Sequence, residues 1–252
     1  MIKKKIFFNS IKFFLLFLLF STAQAAQISL KEQLRKAEPN SWLVSEQNKN
    51  YTFFYIRENN GEHVIIEEVT MSASKRPPKS GFNWRDWFES GAKGHTLWTM
   101  SQINLNTGQF ENSFSFTHCG WLDLSKSSTF FTTLLNLNFQ TVPLEQRRRV
   151  GLAPSHRKQD KRPLWQPRLV VNGCRVANPT FYAYKTRWPA DRSELSRKWI
   201  EVYIPEQKEG AHYPTYFPYW LEVEGKIGSA KVRVVDSGMQ ATSPKSDLPQ
   251  RY

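Results

Sequence analysis

Asn60-Gly61 falls between two β-rich runs, YTFFYIRE from Tyr51 and HVIIEEVT from His63. Asn-Gly in that setting is the strongest short-range hairpin signal, because both residues tolerate positive φ. A second hairpin is predicted across Asn106-Thr107-Gly108, joining residues 95–105 to 109–116. A third spans residues 213–238 around Gly225-Lys226-Ile227-Gly228. In its first run Phe217, Tyr219, Leu221 and Val223 share one parity while Glu222 and Glu224 take the other, the pattern of a half-buried ribbon with an aromatic inner face. Hairpins therefore set the topology, and the sheet should be mainly antiparallel.

Between the hairpins the signals are helical or irregular. Residues 28–36 have the spacing of a short amphipathic helix capped by Ser29. Asn83 and Gly91 bracket one or two helical turns in which Trp84 lies beside Trp87 and Phe88. Residues 124–138 fit a helix better than a strand, and residues 143–149 a short helix opened by Pro143. Residues 153–163 are basic and Pro-bounded, a mobile loop. Strands are predicted over 165–171, 180–187 and 199–204, and a loosely held polar tail from 239 to 252. Pro218 cannot donate to a ladder, which places its strand at an edge or a bulge. The expected fold is mainly β with accessory helices, α+β: a curved antiparallel sheet or half-open β-barrel with helices across its opening. A β-sandwich is the alternative.

Lys3, Lys4, Lys5 and Lys12 flank or precede an apolar run over 13–20, followed by Ala23-Gln24-Ala25. This reads as a secretory signal peptide over 1–25, the run being shorter than the ~20 residues of a spanning helix. The expected location is the periplasm or cell envelope, with residues 26–238 as one β-rich domain. The formal net charge is +13, and its excess concentrates in Arg147, Arg148, Arg149, Arg157, Lys158, Lys161 and Arg162. A local cationic segment of this kind suits an anionic membrane surface or envelope partner more than a nucleic acid. In an oxidising compartment Cys119 and Cys174 are expected to be bridged, contributing about 4 kcal/mol if geometry permits; two free thiols are the alternative.

The aromatic side chains carry most of the functional content. Phe54, Ile56, Trp84, Trp87 and Phe88, with Phe114, Phe116, Phe217, Tyr219 and Leu221, are candidates to line an apolar cavity for an acyl or lipid-like ligand. An ordinary filled core is the competing interpretation. Glu67 and Glu68 point to opposite faces of a strand, so they form no dyad, and both are expected at the surface. The five histidines lack metal-ligand spacing, and no phosphate loop, dinucleotide fingerprint or nucleophile elbow occurs. No metal, cofactor or catalytic residue is expected. Asp236-Ser237-Gly238 reads as a strand-ending turn.

A leading helix, repeated hairpins with aromatic inner faces and a helix over the opening resemble the periplasmic lipoprotein carriers and acceptors of the outer-membrane lipoprotein localisation family. Those are half-open β-barrels that shelter acyl chains. The resemblance is one of architecture, without a shared motif, and the basic stretch over 151–162 and the two cysteines depart from it. It implies a non-catalytic binder of hydrophobic ligands. Two other classes compete: a structural or partner-binding envelope protein, and a hydrolase of an envelope polymer acting through Asp86, Glu89 and Asp236.

Overall fold

A computed structural model describes residues 27–78, 81–124, 129–153, 160–208, 210, 212–225 and 228–249. The expected signal peptide and Arg157 and Lys158 lie outside these residues. Along the chain come β1 (Gln27–Ser29), α1 (Leu30–Arg35), β2 (Trp42–Gln47), β3 (Asn50–Asn59) and β4 (His63–Ser72). Then follow α2 (Trp84–Glu89), β5 (Leu97–Asn104), β6 (Gln109–Ser115), β7 (Gly120–Trp121), α3 (Thr129–Asn136) and β8 (Asn138–Thr141). The last elements are β9 (Val170–Val171), β10 (Cys174–Arg175), β11 (Phe181–Arg187), β12 (Trp199–Pro205), β13 (Trp220–Glu224) and β14 (Ser229–Gly238).

The fold is mixed α+β, built on one large open antiparallel sheet. Twelve strands run in the order β1-β8-β11-β12-β13-β14-β2-β3-β4-β5-β6-β7, while β9 and β10 form a separate ribbon. The first hairpin is as expected: Gly61 has φ +85°, and the Asn60 side chain accepts from the amides of Glu62 and His63. The second hairpin is bulged where Gln102 gives way to Ile103. An extra residue reverses the facing of the residues beyond it. Phe110 therefore meets Phe131 of α3, with ring centroids 5.6 Å apart, while Phe114 meets Phe116 and Trp121 elsewhere.

Both faces of the sheet are covered. On one, α1 and α3 close over a core of mixed aliphatic and aromatic side chains that includes Leu43, Ile56, Ile66, Leu134, Phe139 and Leu221. On the other, α2 packs on Trp42, Phe53, Tyr55 and Trp98. Asn83 starts α2 by accepting from the amides of Arg85 and Asp86 at 2.8 and 3.3 Å. Phe88 stacks on Phe53 with centroids 4.5 Å apart. Among the described residues no helix is long and apolar enough to cross a membrane.

Several expectations are corrected. Cys119 and Cys174 are both free and exposed. Cys119 lies in the turn between β6 and β7, whereas β9, the partner of Cys174's strand, packs beside β14. Strands β2 to β5 intervene at ~4.8 Å each, against the ~7 Å that a bridge tolerates. Pro218 precedes β13 instead of interrupting it, so β13 is an interior strand between β12 and β14. Residues 143–149 form only a 3-10 turn over Leu144–Gln146. The predicted strand over 165–171 shrinks to β9.

Glu67 is 0% exposed, not a surface group. It accepts from Arg57, from the Trp98 indole and from Ser243, at 2.9 to 3.0 Å. The chain end is therefore anchored over its described part: Arg57 also donates to the Lys245 carbonyl and to Asp247, and Lys245 sits 4.6 Å from the Trp98 ring.

Candidate functional site

A cleft of about 640 Å³ lies over β14, β13 and the end of β2. Its floor is made by Glu46, Trp220, Arg233 and the β14 bulge at Val234–Asp236. Arg233 is held in place by Glu46, at 2.7 Å. One wall is Tyr51, Phe82 and Trp84, and Arg76 lies 5.1 to 5.4 Å from all three ring centroids. Cations over ring faces are stabilised by the ring quadrupole.

The second wall is the chain from Trp165 to Arg175, where the sequence pattern predicted a strand over 165–171 and only the short β9 and β10 form. Its anchor is the stretch that read as a simple turn. The β14 bulge turns the Asp236 carboxylate to accept from the amides of Gly173 and Ser237, at 3.0 and 2.9 Å. Ser237 Oγ donates to the Val170 carbonyl and accepts from the Tyr219 hydroxyl, each at 2.8 Å. Burial raises the Asp236 pKa above the usual carboxylate range, although the two amides and Arg76 pull it down. Asp236 is thus committed to holding a wall.

Beneath Trp165 lies a charge cluster that the hairpin pattern had read as an outward face. Glu201 and Glu222 are cross-strand partners, 8% and 7% exposed. Arg148 donates to both, with contacts of 2.5 to 3.0 Å, and its guanidinium stands 5.8 Å from the Trp165 ring. Burial works against the Arg148 charge, but the two glutamates outweigh it and its pKa rises. Burial likewise pushes Glu222 up, yet hydrogen bonds from Ser229 and Arg148 leave it below its ordinary value. Trp165 packs edge-on to Trp220 at 5.0 Å, closing that end of the cleft.

The cleft is cationic and unsatisfied. Arg168 and Arg175 line it and form no ion pair among the described residues, while its only lining acids, Glu46 and Asp236, are engaged. Arg76 Nε and Gln166 Oε1 are buried there without a hydrogen-bond partner among the described residues. A buried donor and a buried acceptor left open beside a concavity are positions a polar ligand can satisfy.

The candidate ligand-binding residues do not converge on one hollow. Phe54, Ile56, Phe217 and Leu221 pack in the α1/α3 core, where the cavity lined by Phe54, Ile56 and Phe217 holds about 20 Å³. That is close to the space of a single water. Trp87, Phe88 and Phe116 belong to the α2 cluster, and Phe114 packs beside Phe116. Of the ten, Trp84 and Tyr219 border the cleft, but both are buried, Trp84 in the α2 cluster and Tyr219 in the α1/α3 core. The candidate surface arginines are likewise engaged inward: Arg147 donates to the carbonyls of Val142 and Phe181, and Arg149 to that of Arg162. Asp86 is exposed on α2 and Glu89 accepts from the Thr242 amide, so only Asp236 of the three candidate acids reaches the cleft. Among the described residues no group of three or more His, Cys, Asp or Glu side chains is placed to hold a metal.

The family described as CT021 protein matches residues 52–177, half of the chain. The chain belongs to the CT021 protein family. The matched segment carries the Arg76, Phe82 and Trp84 wall and the Trp165–Arg175 wall, whereas the β13 and β14 floor follows it. The solved structure of the hypothetical protein CT021 from Chlamydia trachomatis is similar over 89% of this chain and 99% of its own, at 22% identity and a TM-score of 0.63. At that identity the likeness concerns the fold. No curated protein matches the chain.

Proposed function

We propose that this CT021-family protein is a non-catalytic binding protein of the cell envelope that holds an acidic, ring-bearing ligand in the arginine and tryptophan cleft. An anionic sugar chain is the best fit. The observation that carries this reading is the pairing of aromatic walls with two cations that form no ion pair among the described residues, Arg168 and Arg175, beside the Nε of Arg76, which has no hydrogen-bond partner among them. Sugar rings lay C–H faces on tryptophan and tyrosine, and carboxylate or phosphate substituents take guanidinium donors in pairs. The volume of about 640 Å³ falls in the usual range for small-ligand sites. An acyl chain would instead need the α1/α3 face to open, since about 20 Å³ is free there.

Calorimetric titration with an acidic oligosaccharide, its neutral counterpart and a fatty acid tests this reading. Saturable binding of the acidic sugar alone is expected, weakened by Trp165→Ala and by Arg175→Ala. Equal binding of the neutral sugar, or saturable binding of the fatty acid only, would overturn it.

A further inference from the structure

Residues 148–152 and 160–165 form an irregular two-stranded ribbon. Arg149 and Leu164 make the single β-bridge, the Val150 amide donates to the Pro163 carbonyl at 2.9 Å, and the Trp165 amide donates to that of Arg148 at 2.8 Å. Arginine side chains brace it from within. Arg162 reaches Asp160 and the Gly151 carbonyl, and Arg149 reaches the Arg162 carbonyl. The apolar side chains instead face water: Leu152 is 95% exposed, Val150 52%, and Leu144, in the 3-10 turn just before, 54%. Scattered exposed aliphatics are ordinary. Two on a braced basic ribbon and a third in the turn that leads into it, all within nine residues, are not scattered.

We propose that this ribbon is a membrane-docking device, with Leu152 and Val150 entering the interface of an anionic phospholipid bilayer, the exposed Lys161 meeting its headgroups and the charge of the inward-braced arginines attracting them. Charge complementarity selects this occupant. Over the described residues 144–152 and 160–162 the sequence sets Arg147, Arg149, Lys161 and Arg162 against Glu145 and Asp160, Arg148 being taken by Glu201 and Glu222; Asp160 pairs with Arg149 and Arg162, and Lys161 is exposed and takes part in no ion pair among the described residues. Bracing the arginines against backbone carbonyls leaves their charge in place and lowers the ordering cost on docking. Apolar insertion and electrostatic attraction are the two signals a peripheral contact combines. The ribbon ends at Trp165, a wall of the cleft, so docking would hold the cleft beside the lipid surface. This inference does not depend on what the cleft binds.

Vesicle co-sedimentation decides it, using the protein as the cell processes it and comparing variants of that same chain. Phosphatidylcholine vesicles with and without phosphatidylglycerol serve as probes. Wild type should partition to the anionic vesicles only, and moderate salt should weaken but not abolish the effect. The double change Val150→Glu/Leu152→Glu should cut partitioning about a hundredfold, and Lys161→Glu roughly tenfold. Unchanged melting profiles would show that these exposed positions leave the fold alone. Wild-type partitioning that Val150→Glu/Leu152→Glu leaves intact would overturn the proposal, as would equal binding to neutral vesicles. Binding to a soluble acidic polysaccharide in place of vesicles would overturn it too.

Discussion

Aromatic rings under α2 and aromatic rings in the cleft are the same side chains put to different uses. Beneath α2 the rings of Trp42, Phe53, Phe88 and Trp98 meet other rings, and each is fully buried. In the cleft, the rings of Tyr51, Phe82 and Trp84 pack on one another, and Trp84 on Trp87, but a guanidinium also lies against all three and the concavity beside them remains open. Ring content by itself does not mark a binding site; what the free face of each ring meets does.

The largest effect should separate the two regions. Phe88→Ala removes a fully buried ring that stacks on Phe53, and a loss of about 3–5 kcal/mol in denaturant unfolding is expected. A loss under ~1 kcal/mol would mean that the α2 cluster is not the packed region described. Next comes Arg148→Ala, which leaves Glu201 and Glu222 side by side, at an expected cost of about 2–3 kcal/mol near neutral pH. The sign with pH comes from Glu222, whose folded pKa lies below its ordinary value. Its contribution is present above the usual carboxylate range and is lost as pH falls through the folded value, so the deficit of the variant should shrink in acid. A pH-independent deficit would detach the glutamates from the latch.

A smaller change of opposite sign is expected at Glu68. The side chain is half-buried, and burial pushes its carboxyl up to about 7. A raised carboxyl pKa favours folding below the unfolded value, and that contribution is lost as pH rises through the folded one. Glu68→Gln should therefore stabilise by ~1 kcal/mol above pH ~7 and make no difference below pH ~4.5. Paired melting curves at the two pH values check this. Smallest in stability is Arg168→Ala, expected within ~0.5 kcal/mol of wild type because the side chain is exposed and unpaired among the described residues. Its affinity for an acidic oligosaccharide should nevertheless fall about tenfold, the size of one lost charged hydrogen bond. A variant that loses stability but not affinity would place Arg168 in the scaffold and not in the site.

Features that depend on neighbours in the chain could be read from sequence. Asn60-Gly61 made its turn, Asn83 capped α2, and Trp84, Trp87 and Phe88 shared one buried side. Features that depend on remote partners could not. Glu222 alternates outward in its strand, yet Arg148, far back in the chain, covers it. Phe110 and Phe114 share a parity, yet one bulge sends them to opposite faces. The cleft was illegible for the same reason: its second wall carries a strand pattern over 165–171 that is realised only at Val170–Val171, and the wall is fixed instead by Asp236 and Ser237 from β14. The trace available in the sequence was Asp-Ser-Gly, which reads equally well as a turn.

The last strand among the described residues lies in the interior of the sheet, where β14 joins β13 to β2. During synthesis, the two blocks of strands on either side must wait with unpaired borders until residues 229–238 have left the ribosome. Loss of residues 229–238 would therefore split the sheet in two and expose both borders to pairing with other chains.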